Sequence, residues 1–333
     1  MAAAAMDEQL RRAGEDFARA ALARWGLADA SLRFVNHSEN TTYFATPPGA
    51  AEPVVLRIHR EGYHTVDGIR SELAWMRALE AEAGVRTPQA IPGLDGEDIQ
   101  TVAHPSLPRP RQCVLFAFIR GEEPAERDDL TGPFRQLGEV TARTHRHSEG
   151  WRRPPRFERL NWDFEHIAGA TPNWGPWSAG PDMTPARLRQ IRRMADAMER
   201  RLARFGRAPG RFGLIHADFR LANLLIHEGD TRVIDFDDSG IGWFLYDAAT
   251  AVSFFEHDPR VDALMAAWCE GYRRVRPLPA EDERELWTFI MLRRLACLAW
   301  MGSHHDTELA RSAGPAYCEG TCTLAERYLT RFG

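Results

Sequence analysis

Apolar positions in the first third of the chain recur at two periods. Residues 7–25 set Leu10, Phe17, Ala21 and Trp25 at helical spacing and stop at Gly26, which predicts a helix with a glycine end. Short β-like runs follow at Leu32–Val35, Thr41–Ala45 and Val54–His59, the last two separated by the turn signal Thr46-Pro47-Pro48-Gly49. Residues 67–84 return to helical period: Asp67 is the expected N-cap, Ile69, Leu73, Met76 and Leu79 make one face, and Gly84 ends it. Ile99–Val102 and Arg111–Ile119 read as strands, the second with the apolar run Val114-Leu115-Phe116-Ala117-Phe118. Gly121-Glu122-Glu123-Pro124 breaks it, and the boundary between two lobes is expected there: 1–119 a small antiparallel sheet with helix, 120–333 a mostly helical lobe.

Beyond the break the pattern is helical. Residues 133–147 align Phe134, Leu137, Val140 and Thr144, and residues 184–205 start on Thr184-Pro185, a cap followed by a first-turn proline, with arginines expected on a solvated face. The segment 151–183 is rich in Trp, Pro and Gly and has no period, so it reads as a long loop. Two apolar strands are expected in 211–236 and helices from 242 to the end. The fold class is therefore α+β.

Composition narrows the function classes. A net charge of −5 argues against a general nucleic-acid binder. No apolar run approaches a membrane span, and the alanine-rich start lacks the basic and apolar regions of a signal peptide. Five scattered cysteines suit a reducing compartment, so a cytoplasmic protein, monomer or homodimer, is expected. All 42 basic residues are arginine, so no lysine is available for chemistry. Cys318 and Cys322 have no complementing pair for zinc. Of Arg293 and Arg294, one is expected near the active site and one at the surface. His304-His305-Asp306 reads as a polar helix end or a pocket lining.

The chemistry lies in Leu214-Ile215-His216-Ala217-Asp218-Phe219-Arg220-Leu221-Ala222-Asn223, followed by a hairpin pattern running to Ile234-Asp235-Phe236-Asp237. A hairpin folds its ends together, so Asn223 and Asp235 should meet, with Asp218 on the loop within reach of both. Two carboxylates and an amide oxygen are hard ligands suited to Mg2+ on substrate phosphates, and the remaining carboxylate can take a proton from an attacking hydroxyl. Those are the parts of a kinase: Asp218 as base, Asn223 and Asp235 on the metal.

His216-x-Asp218-x4-Asn223 with Ile234-Asp235-Phe236 resembles the motif pair of the aminoglycoside phosphotransferase/choline kinase superfamily. The resemblance implies a bilobal protein-kinase-like fold, ATP and Mg2+ as cofactors, and transfer of a phosphoryl group to a hydroxyl of a small-molecule substrate. It implies further site residues. Ser38, Asn40 and Thr41 lie in a segment similar to the superfamily's nucleotide loop. Arg57 stands where the family carries a phosphate-anchoring lysine, and a guanidinium fork suits phosphate. Glu72 is its expected ion-pair partner, and Phe116, Ala117 and Phe118 occupy the adenine hinge. Asp247 resembles the structural Asp that ties down the catalytic loop, and His216 an organiser of that loop; Asp237 reads either as a direct or indirect metal group or as an acidic loop residue. The alternatives are a protein Ser/Thr kinase of the stress response kinase type and a nucleotide-binding pseudokinase.

Overall fold

A strand that alternates its side chains must satisfy two faces at once, and the strand Val54–Ile58 shows how this sheet is built. A computed structural model describes residues 2–37, 40–105, 107–305 and 307–333. The chain divides into two compact units, one of residues 1–77, 87–120 and 153–158, the other of residues 78–86, 121–152 and 159–333.

The first unit opens with α1 (Ala2–Leu22) and a tight turn to Gly26, whose φ of +70° is the left-handed stop expected of a glycine there. The strands β1 (Ser31–His37), β2 (Thr41–Thr46), β3 (Val54–Ile58), β4 (Ala90–Ile91), β5 (Ile99–Val102) and β6 (Arg111–Ala117) form one antiparallel sheet in the order β1-β2-β3-β6-β4, with β5 also on β6. Leu56 and Ile58 of β3 join Phe17, Ala21 and Leu22 of α1 in the core on one face. Arg57, between them, must point to the opposite face.

Against Arg57 lies Glu72 of α2 (Val66–Ala83). The helix caps differently from expectation: Thr65, not Asp67, accepts the Gly68 N–H through its hydroxyl at 2.9 Å, and Asp67 instead pairs with Arg70. Both are first-turn anion or cap types, and the chain uses the residue one place before the helix. The expected apolar face is buried, and Gly84 has a φ of +62°.

In the second unit, α3 (Thr131–Gly150) crosses α7 (Val261–Arg273) with two glycines at the contact. A Cβ at Gly138 would fall on the Trp268 carbonyl, and one at Gly271 on the Arg135 carbonyl. The remaining helices are α4 (Phe164–Ala168), α5 (Pro185–Phe205), α6 (Phe244–Thr250), α8 (Ala280–Glu283), α9 (Leu286–Ser303) and α10 (Glu308–Phe332). Thr184 caps α5 as expected, its hydroxyl accepting from Arg187 N–H.

Three strands here went unexpected or were only half seen. β7 (Leu160–Trp162) and β11 (Gly240–Trp243) join β8 (Phe212–Ile215) in the order β7-β11-β8. The segment 151–183 is thus not a bare loop: it holds β7, α4 and the buried Trp162, Trp174 and Trp177. β9 (Leu224–His227) and β10 (Asp230–Val233) form the expected hairpin, joined by Glu228 and Gly229 at φ of +50° and +79°. Two successive positive φ values make the turn whose twist matches the strands, and they set the register Leu224↔Val233.

Among the described residues no helix is long and apolar enough to cross a membrane, and all five cysteines are free thiols.

The α3–α7 crossing gives a stability prediction. Gly271→Ala forces a methyl onto backbone, which no rotamer change relieves, so it should cost at least about 3 kcal/mol. Thermal or urea unfolding measures this; a change under about 1 kcal/mol would mean that the crossing relaxes freely.

Candidate functional site: the catalytic loop and the Arg57 pair

The loop between β8 and β9 is held from behind by one carboxylate. Asp247, in the first turn of α6 and fully buried, accepts the backbone N–H of His216 at 3.1 Å and of Ala217 at 2.6 Å. Its Oδ2 also accepts from His145 Nε2 at 2.8 Å. His145 Nδ1 must then accept, and it does so from the Tyr272 hydroxyl at 2.9 Å. Burial depresses the basicity of His145 and outweighs the pull of Asp247, so the ring is neutral and this tautomer is the one the partners demand.

Ala217 bends at a φ of +68°, an unfavourable turn for a residue with a Cβ, and the two donors to Asp247 flank that bend. His216 reads the same way. Its Nδ1 accepts the Asp218 N–H at 3.2 Å, so Nε2 carries the proton and donates to the Ile234 carbonyl at 3.1 Å. Burial lowers its pKa too. His216 thus fastens the loop to the end of the hairpin and is neutral, not a base.

Asp218 is buried, and both oxygens of its carboxylate are engaged. Oδ2 accepts from Asn223 Nδ2 at 2.6 Å and from Arg220 Nε at 3.2 Å, and Oδ1 pairs with Arg293. Burial pushes its carboxyl up, but the guanidiniums of Arg293 and Arg220 pull harder, and the net direction is down. It is an anion at any ordinary pH. Asn223 donates with its amide nitrogen both to the Asp218 carboxylate and, at 2.9 Å, to the Asp218 carbonyl. Its amide oxygen is the atom left for a cation.

The hairpin does bring its ends together. Ile234 N–H donates to the Asn223 carbonyl at 3.0 Å, which sets Asp235 beside Asn223 along the chain path. Asp235 is exposed and has a φ of +61°. Asp237 is buried, with its backbone carbonyl accepting from Arg159. A carboxylate and an amide oxygen fit Mg2+, which keeps several waters and takes phosphate oxygens to complete its octahedron.

In the first unit, Arg57 Nη2 pairs with Glu72 Oε1 at 2.6 Å, both residues buried, and the guanidinium lies 4.7 Å over the Phe116 ring. The expected pair is therefore present. Glu72 Oε2 is buried with no hydrogen-bond partner among the described residues. Asn40 and Thr41 are used locally: Asn40 Oδ1 accepts from Arg60 N–H at 3.1 Å, and Thr41 Oγ1 bonds His37 Nδ1 at 2.7 Å. Ser38 and Asp306 lie outside the described residues. Ala117 is exposed at the end of β6 with its N–H on the Gln89 carbonyl at 2.9 Å, and Phe118 packs edge-on to Phe44 at 5.6 Å between centroids.

The twin arginines depart from expectation. Both are buried in α9, and neither is a surface charge. Arg293 meets Asp218, while Arg294 pairs with buried Glu256, lies 3.9 Å over Tyr317 and donates to Thr321 at 2.8 Å. The signal was present, since they are the sole charges in an otherwise apolar helix.

A buried carboxylate, an amide-bearing neighbour that fixes it, and a second carboxylate at the far end of the same hairpin are the equipment of a phosphotransferase. The chain belongs to the phosphotransferase enzyme family, whose model matches residues 31–278. An aminopropanol kinase associated with a microcompartment has a structure similar to this chain, with 43% identity and a TM-score of 0.87, covering 95% of this chain and 98% of that one. The amicoumacin kinase of Bacillus subtilis (strain 168) is 26% identical over 232 residues, 68% of this chain; the match spans 64% of that relative's length. An amicoumacin kinase solved with AMP-PNP and Ca2+ shares the fold at 20% identity and a TM-score of 0.72, covering 90% and 88% of the two chains. The sheet-bearing first unit and helical second unit match the expected protein-kinase-like fold class.

If Arg57 contacts phosphate, Arg57→Ala should weaken ATP binding about 10- to 100-fold. Arg57→Lys should retain a substantial part, and Glu72→Ala should give a weaker version of the Ala defect. Calorimetric titration with ATP across the three variants checks this; unaltered affinity in Arg57→Ala would remove Arg57 from the nucleotide site.

Proposed function

We propose that this chain is an ATP- and Mg2+-dependent kinase that moves the γ-phosphoryl group of ATP to the hydroxyl of a small amino alcohol. The observation that carries the reading is Asp218, held anionic and aimed by Asn223 on a loop fastened by Asp247. The choice of acceptor class is supported by the similarity to an aminopropanol kinase over nearly the whole chain.

In this reading Asp218 orients the acceptor hydroxyl and accepts its proton late, when the oxygen is already bonding to phosphorus. A carboxylate of lowered basicity suits a loose transition state, in which little proton transfer is needed early. Asn223 and Asp235 would hold Mg2+, which supplies charge neutralisation on the phosphates. Arg57, kept in place by Glu72 and the Phe116 ring, would grip the α- and β-phosphates. Most of the acceleration would then come from positioning and preorganised charge.

The test is ADP release from ATP and Mg2+ with a panel of hydroxyl compounds headed by an aminopropanol. Turnover dependent on the amino alcohol is expected. A melting shift with ATP but no product from any acceptor would replace this reading with that of a nucleotide-binding module.

Two variants check the assignments. Asp218→Asn keeps the shape and should lower turnover by ~10²–10⁴ while ATP still binds; turnover within twofold of wild type would exclude Asp218 as base. Asp235→Ala should abolish the Mg2+ dependence of nucleotide binding, as EDTA should for the wild type, and an unchanged Mg2+ titration would exclude it as a ligand.

A further inference from the structure

Arg293 does more than lower the basicity of the proposed base; it also grips one of its oxygens. It stands on α9, the most apolar helix of the second unit, with 2% of its surface exposed. Nη2 pairs with Asp218 Oδ1, Nη1 reaches the Ala217 carbonyl at 3.4 Å, and Nε donates to Ser253 Oγ at 2.9 Å. The guanidinium also lies 5.4 Å from the centroid of the Trp174 ring. Ser253 is itself fixed, donating to the Thr250 carbonyl at 2.7 Å, while Thr250 Oγ1 accepts the Phe219 N–H at 2.9 Å.

These contacts form a closed circuit. The residues on either side of Asp218, Ala217 and Phe219, and Asp218 itself are all tied to Arg293 or to the segment that positions it. A carboxylate bound only at Oδ2, by Asn223 and Arg220, could still swing about its Cβ–Cγ bond. With Oδ1 fixed by a planar fork whose other arms are anchored, both oxygens have one orientation. A free-standing cation so buried would be costly; it is tolerated because the carboxylate, the carbonyl and the hydroxyl satisfy it.

We propose that Arg293 is a positioning residue for phosphoryl transfer, setting the orientation of the Asp218 carboxylate toward the acceptor hydroxyl, with Ser253 and Trp174 setting the orientation of Arg293. The Trp-rich segment thereby serves the site, because the Trp174 ring lies against the guanidinium. The inference rests on Asp218 being the base.

Four variants test it: Arg293→Met, Arg293→Lys, Ser253→Ala, and Arg293→Met combined with Asp218→Asn. Each is assayed with ATP, Mg2+ and the aminopropanol, with ATP affinity measured separately and crystal structures determined for Ser253→Ala and Arg293→Lys. Arg293→Met should lower kcat by about 100-fold while KM for ATP stays within about threefold. Arg293→Lys should restore part of the loss, which a role in packing volume alone would not predict, since Met and Lys have similar bulk. Ser253→Ala, which removes one small group and keeps the charge, should lower kcat by about three- to tenfold at unchanged KM. On an Asp218→Asn background the Arg293→Met change should cost nothing further, because the group it orients is no longer a base.

In the crystal structures the Asp218 carboxylate should be turned from its wild-type orientation. A carboxylate unmoved in both, with Ser253→Ala at wild-type kcat, overturns the proposal, even if Arg293→Met fails to fold. Lys performing no better than Met also overturns it. Wild-type turnover in Asp218→Asn alone would instead remove the base assignment on which the inference stands, so the two failures are distinct.

Discussion

One buried carboxylate holds the catalytic loop in place. Asp247 takes two adjacent backbone N–H groups where Ala217 bends into the left-handed region. That conformation costs of order 1–2 kcal/mol for a residue with a Cβ, and it persists because the two buried amides find their acceptor only there. The bend aims the next residue, Asp218, away from β8 and toward the hairpin. Behind Asp247, neutral His145 and the Tyr272 hydroxyl leave it no freedom to rotate. The loop is therefore held rigid by a carboxylate on a helix outside it.

Most of the fold was legible in the sequence, and so was the placing of several candidate site residues, for a physical reason: both depend on short-range periodicity. The hairpin β9–β10 announces itself through alternating apolar residues around Glu228-Gly229, and its register then decides where Asn223 and Asp235 fall. Arg57 and Glu72 were placed through the family's pattern, and the strand period explains why Arg57 faces away from α1. What stayed hidden depends on distant pairing. β11 reads poorly as a strand because Gly240 and Gly242 lack side chains, but Trp162 packs where their Cβ atoms would sit, at 2.8 and 2.9 Å. β7 is three residues long and has no partner nearby in sequence. Thr65 and Asp67 are both acceptable caps, and only the helix's actual first turn chooses between them. The role of Arg293 was half visible, since a charge in an apolar helix must find a partner, but which partner is a matter of tertiary structure.

A chain without lysine shows how far arginine can replace it. Arg57 loses less water on burial than an ammonium would, stacks on Phe116, and carries more donors than Glu72 alone can take. The same economy recurs at Arg293 and Arg294, where a planar fork satisfies several acceptors from one buried position. An ammonium at either site would leave acceptors unmatched.

The Asp218–Arg293 pair also bears on how such a protein can decay. Enzymes commonly gain stability when a catalytic charge is lost, because reactive groups are held against their own interest. Here the reverse holds: truncating the Asp218 side chain, unlike an exchange to Asn that keeps one oxygen as acceptor, strands a guanidinium inside α9, and leaving one partner of a buried pair unmatched costs on the order of 3–5 kcal/mol. A lineage drifting toward a binding-only role cannot shed the Asp218 carboxylate alone. It must discard Arg293 in the same step or pass through a poorly folded ancestor, so among divergent relatives the two positions should change together.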